Sequence, residues 1–157
     1  MKLEHIPRWV VASIHKYIDA NRGPVVLYLE GQNRQQNNEI PDHFELRVDG
    51  PHMHQITRSE WEFYVEISLF IHSNHDQKDL HKIHRLLGHA LNAMAVCIPV
   101  YKYGDGLDDD RNLLGQLVRV DTPSEPTDVA NFGQIESTLP VDQGTVAGKY
   151  YMCLTED

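Results

Sequence analysis

Positive charge is scarce in this chain. Lys and Arg number 14 against 23 Asp and Glu, giving a formal net charge of −9, and Lys149 is the only Lys or Arg after Arg119. Duplex nucleic acid and anionic bilayers are held by clustered Lys and Arg that release counterions. Neither partner is expected here. Long apolar runs are missing too: nothing approaches the ~18 residues that cross a bilayer. The opening MKLEHIPRWVVASIHKYI is broken by Glu4, Pro7, Arg8, His15 and Lys16, so it lacks a signal-peptide core. There are only two cysteines, Cys97 and Cys153, without CxxC spacing. Both lie in apolar stretches and are expected to be buried thiols in a reducing compartment.

Catalytic motifs are absent as well. No GxSxG elbow is present, and Gly104-Asp105-Gly106 fails both the dinucleotide and the Walker patterns. The ten histidines include His72, His75, His81, His84 and His89. His81 and His84 sit one turn apart, but HExxH spacing is missing, and His72 and His75 straddle a strand end where rings diverge. A solvated helix face is the favoured reading, and a histidine–metal enzyme is the rival that elemental analysis would expose. Asp105, Asp108 and Asp110 lack the twelve-residue calcium loop with its closing Glu. No catalytic, cofactor-binding or metal-binding residue is expected.

What is present is an ordinary globular composition. The 157 residues are 41% hydrophobic, enough for one domain over 1–157 with its own core. Val10, Ile14, Tyr17 and Ile18 mark one face of a helix over 8–20, closed by Asn21-Arg22-Gly23-Pro24. Trp9 lies off that face at about 100° per residue, either folded under the helix start or exposed as an anchor for a partner. PVVLYLEG (24–31) reads as a buried strand and HFELRVDGP (43–51) as an alternating one ended by DGP. Between them QNRQQNNEIPD is a polar loop.

The strongest strand signal is EWEFYVEISLFI, residues 60–71. Trp61, Phe63, Val65, Ile67, Leu69 and Ile71 share one side; Glu60, Glu62, Tyr64, Glu66, Ser68 and Phe70 share the other. At ~3.3 Å per residue it runs ~40 Å, about twice the usual length, so its ends, or its outer face, are expected to project beyond its own sheet. A helix follows, capped by Ser73 or Asn74, with Asp76 and Asp79 near its start. Its apolar arc runs through Leu80, Ile83, Leu86, Leu87, Ala90, Leu91 and Met94. YKYGDGLDDDRN (101–112) reads as a loop and LGQLVRVD (114–121) as a strand. FGQIESTL (132–139) and TVAGKYYMCL (145–154) read as a hairpin. The order α-β-β-β-α-β-β-β argues an α+β fold: a mostly antiparallel sheet with two helices packed on one face.

This order of elements resembles the tail terminator proteins of long-tailed bacteriophages, minor tail (tail completion) proteins that cap the tail tube. The resemblance is carried by RWVVASIHKYI, VVLYLEG, FELRVDG with EWEFYVEISLFI, and the helix LHKIHRLLGHALNAM. The acidic YGDGLDDDRN and the closing KYYMCL complete it. The insertions near 32–42 and 121–131 depart from the short members, leaving a head–tail joining or neck completion protein as the alternative. The resemblance implies a structural virion protein with no cofactor, a homo-oligomeric ring of six, and contacts to a tail-tube protein and a head-completion or neck protein. DNA would pass through the lumen without sequence-specific binding, and no membrane would be involved. Assembly would take place in the bacterial host cytoplasm. On this reading Trp9, Trp61 and Phe63 are the subunit or partner interface candidates. Asp105, Asp108, Asp109 and Asp110 are candidates for an acidic lumen or rim.

Overall fold

The computed structural model describes residues 3–30, 42–104, 112–121, 128–134 and 141–155. A 3-10 turn (Leu3–His5) leads into α1 (Ile6–Asn21), followed by β1 (Val26–Leu29), β2 (His43–Gln55) and β3 (Glu60–Asn74). Then come α2 (Lys82–Ala93), β4 (Cys97–Lys102), β5 (Asn112–Val120), β6 (Asp128–Gln134) and β7 (Val141–Thr155). The class is α+β. The strands form one sheet in the order β1-β2-β3-β7-β5-β4, with β6 pairing β7 off that path. The β1–β2 pair is parallel and the other pairs are antiparallel, so the sheet is mixed. It is also curled. One edge of β7 follows β3, while its other edge is shared by β6, at 142–147, and β5, at 149–151.

The core forms where the alternation of β3 meets two helices. Phe63, Val65, Ile67 and Leu69 are fully buried and Ile71 nearly so, and Val146, Tyr150 and Met152 of β7 stand beside them. Ile6, Val10, Ile14 and Ile18 of α1 and Ile83, Leu86, Leu87 and Ala90 of α2 complete the same cluster. Each such side chain taken fully from water contributes about 1.5–3 kcal/mol before the cost of ordering the chain. Tyr150 is anchored there, its hydroxyl donating to the Ala95 carbonyl at 2.8 Å. Burial pushes its pKa up to about 12, so it remains a neutral donor at neutral pH.

Several expectations are corrected. The length of β3 leaves no unpaired ends, because residues 60–74 pair throughout with 155–141 of the equally long β7. On its other side 61–72 pair with β2. The DGP at 49–51 does not end β2, which passes through a bulge and continues to Gln55. β1 is an edge strand with Val26 39% exposed, not a buried one. Tyr101 and Lys102, expected to open a loop, belong instead to the edge strand β4.

The second helix starts eight residues later than its expected cap at Asn74. Ser73 and Asn74 are held in β3 by pairing with Asp142 and Val141. Asp76 then makes a turn instead of a helix start: its side chain accepts from Lys78 N–H at 2.9 Å and its carbonyl from Asp79 N–H at 3.1 Å. Asp79 is gripped by Arg85, whose hydrogen bond and charge hold its carboxyl below the ordinary range. Leu80 therefore lies outside the helix and 64% exposed, and Leu91 is also exposed. Cys97 and Cys153 are exposed too. Cys97 opens β4 opposite the exposed Val118, and Cys153 stands opposite Glu62, so both share the side that no described helix covers.

The outer edge of β4 is closed by α1. Tyr101 N–H donates to the buried Ser13 Oγ at 3.0 Å, and the Trp9 indole N–H donates to the Tyr103 carbonyl at 2.9 Å. Pro99 has no N–H to offer. An edge blocked in this way resists pairing with another chain.

Candidate functional site

The side of the sheet opposite the helices carries the polar and aromatic residues. Because side chains alternate along each strand, the register fixes which of them stand in one cross-strand row. One row runs His52 (β2), Tyr64 (β3), Tyr151 (β7), Val118 (β5), Cys97 (β4), crossing five strands. The His52 and Tyr64 rings stack at 4.6 Å and the Tyr64 and Tyr151 rings at 5.9 Å. Beside it lie Glu62 with its neighbours His54 and Cys153, and on the other flank Asp49, Glu66 and Lys149. Lys149 pairs with Glu66 at 3.6 Å and His52 with Asp49 at 3.4 Å.

A local backbone feature creates the His52 end of this row. Asp49 faces Glu66, but His52 faces Tyr64, so β2 carries an extra residue in a bulge around Gly50-Pro51. Gly50 has φ +110°, a conformation that side chains disfavour. A Cβ there would stand 2.9 Å from the His52 backbone nitrogen. The bulge resets the strand so that His52 and His54 rise on the helix-free side. With Pro51, Glu62, Tyr64 and Tyr151 they line an open groove.

At the far end of the same face a smaller cleft of about 330 Å³ is lined by His43, Glu45, Arg47, Phe70 and His72, among others. His43 is buried, stacked on His72 at 4.8 Å and edge-on to Tyr28 at 5.0 Å. The Arg47 guanidinium lies 4.4 Å above the Phe70 ring and donates to Glu45 at 3.2 Å.

The residues singled out from the sequence are not brought together. Phe63 is fully buried in the core, and Trp61 is half-buried against it. The Trp61 indole nitrogen is buried without a hydrogen-bond partner among the described residues. Trp9 is no exposed anchor: it packs half-buried against the core, close to His5, with its N–H on the Tyr103 carbonyl. These three stand on the helix side or in the core, away from the open face. Asp105, Asp108, Asp109 and Asp110 lie outside the described residues, as do most of 32–42 and 122–127 of the second insertion.

The histidine cluster disperses as well. His72 stacks on His43, His75 meets Asp142 at 3.1 Å, and His81 and His84 sit 5.9 Å apart on the surface. Among the described residues no three His, Cys, Asp or Glu side chains gather as a metal-ligand set. No helix among them is long and apolar enough to cross a membrane.

Sequence reasoning placed Tyr64 and Glu62 on the outer side of their strand but missed His52, His54 and Tyr151 as their neighbours. The signal was H-x-H directly after Gly-Pro. It is readable only once Gly-Pro is taken as a bulge inside a strand. The face can do what a mixed surface does: offer ring systems, carboxylates and a few cations to a docking partner. No protein-family model matches the chain, and no curated protein sequence matches it.

Proposed function

We propose that the protein is a structural virion subunit that closes into a ring, most simply of six copies, at the end of a phage tail tube. There it stops tube polymerisation and presents a docking surface to the head–neck assembly. Its role is assembly, and its partners are copies of itself, tail-tube subunits and a head-completion or neck protein. The observation that carries this reading is the two-sided sheet. Helices bury one face, while the other, crossed by a row of five strands, carries aromatic and charged side chains that no described helix covers. The run of elements from α1 to α2, with β7 closing the sheet, agrees with the order on which the resemblance rests. A head–tail joining or neck completion role is the second reading, favoured by the insertions near 32–42 and 121–131.

Ring closure follows from symmetry. A contact between two different patches of one chain either closes or grows into a filament, and a six-fold tube is ended most simply by a cap of equal symmetry. Added to polymerising tail-tube subunits, the protein should arrest growth and appear by electron microscopy as one six-fold ring at a tube end. Tubes of unchanged length without such a ring would overturn the terminator reading. Binding to the head connector but not to the tube would move the role to the neck.

A further inference from the structure

We infer that His43 and His72 form an acid-sensitive latch: while stacked the pair carries at most one proton, and a second proton parts the rings and frees β1 from the sheet. Three observations lead to it. First, the two residues are direct cross-strand partners at the start of β2, and their rings stack at 4.8 Å with 20° between the planes. Two imidazolium ions at that separation repel, and His43 is only 1% exposed, so water screens them little. A carboxylate beside either ring would favour the first proton. The second still meets the first at ring-contact distance, so the two rings titrate as one coupled pair.

Second, the charged groups around the pair are engaged with one another. On β2, Arg47 lies 3.2 Å from Glu45 and 4.0 Å from Glu30, and Asp42 pairs with Lys82 of α2 at 2.7 Å. Glu30 stands at the Arg47 end of the cleft, its N–H on the Leu46 carbonyl. On β7, Asp142 meets His75 at 3.1 Å. Tyr28 of β1, Phe70 of β3 and Gln143 of β7 bring only rings and an amide to the pair.

Third, β1 is placed to respond. Among the described strands it is held by β2 alone, over four residues, and it leans on His43: Val26 is the register partner and Tyr28 packs its ring at 5.0 Å. A short edge element with one partner strand opens before the rest, whereas β3 is paired to β7 along its whole length. The cleft of about 330 Å³ that both histidines line gives protons access. The sign follows from the repulsion. The latch contributes its full stability above the ordinary imidazole range, and that contribution is lost as pH falls through the lower of the two steps.

NMR titration of the full chain, with each histidine ring followed separately, tests the pair. His43 and His72 should take up protons in two steps more than about one pH unit apart. In His72→Phe, which keeps a ring, and in His72→Gln the lower step should vanish. Backbone hydrogen exchange, corrected for its intrinsic pH dependence, should speed up at 26–29 by about tenfold per pH unit below the lower step, the slope of one proton. Residues 63–71 should stay protected, and both variants should lose the acceleration. Two steps that coincide in the unaltered chain would overturn the inference, whether or not either variant folds. So would a lower step that survives in both variants, acceleration that spreads equally to 63–71, or rings that titrate apart while 26–29 stays as protected as at neutral pH. None of these results depends on assembly, so the latch and the tail-end role stand or fall separately.

Discussion

Phe63→Ala is expected to remove ~3–5 kcal/mol of folding stability, the range for emptying a large aromatic from a packed core. Phe63 is fully buried, stands opposite Met53 on β2 and Met152 on β7, and belongs to the cluster that α1 and α2 close. The cost combines lost transfer energy with a cavity that β3, paired on both sides, cannot collapse around. The neighbouring Tyr64→Ala gives the contrast. Tyr64 points to the open side and is half-exposed, so its truncation should change stability by no more than ~1 kcal/mol, as surface substitutions do. Chemical denaturation of both variants checks the pair. Equal and small losses would mean that Phe63 is not the core residue described here.

Trp9→Ala is expected to cost ~2–4 kcal/mol of folding stability, less than a fully buried tryptophan because Trp9 is half-buried. Two losses combine. The indole surface leaves the core it packs against, and the Tyr103 carbonyl loses its 2.9 Å donor where α1 closes the β4 edge. Trp9→Phe should restore the packing but not the hydrogen bond, recovering all but about 1 kcal/mol. The measurement pairs a denaturant midpoint with an assembly assay. A chain that unfolds early yet still assembles fits the structural role. One that keeps its midpoint and fails to assemble would return Trp9 to the interface.

Legibility in the sequence followed how local each signal was. The face of α1, its stop at Asn21-Arg22-Gly23 and the alternation of β3 depend on neighbours in sequence, and all were readable. What β3's length meant was not. Its partners are β2 and β7, and the expected hairpin strand at 145–154 gave no hint that β7 would begin at Val141 and match β3 residue for residue. The Gly50-Pro51 pair looked like a strand breaker, and Pro99 carried no strand signal of its own. In the fold they sit on an edge and in a bulge, the two places where a sheet tolerates them. Asp76 and Asp79 looked like helix-start acids and serve instead as a turn former and an Arg85 partner. The candidate site was half visible: the outer side of β3 could be read, but its cross-strand neighbours belong to register, which no single strand encodes.

Cys97 and Cys153 make the central claim, that partners meet the helix-free face, directly measurable. Both thiols are exposed, and both stand on that face, beside Val118 and Glu62 respectively. Maleimide labelling is followed on the free chain and on the ring at a tube end, with His84→Cys on the exposed side of α2 as an internal control. The account predicts that Cys153, opposite Glu62 on that face, becomes slow to label on assembly while the cysteine at position 84 keeps its rate. A ring in which Cys153 and Cys97 label as fast as in the free chain, and position 84 is the one shielded, would contradict it.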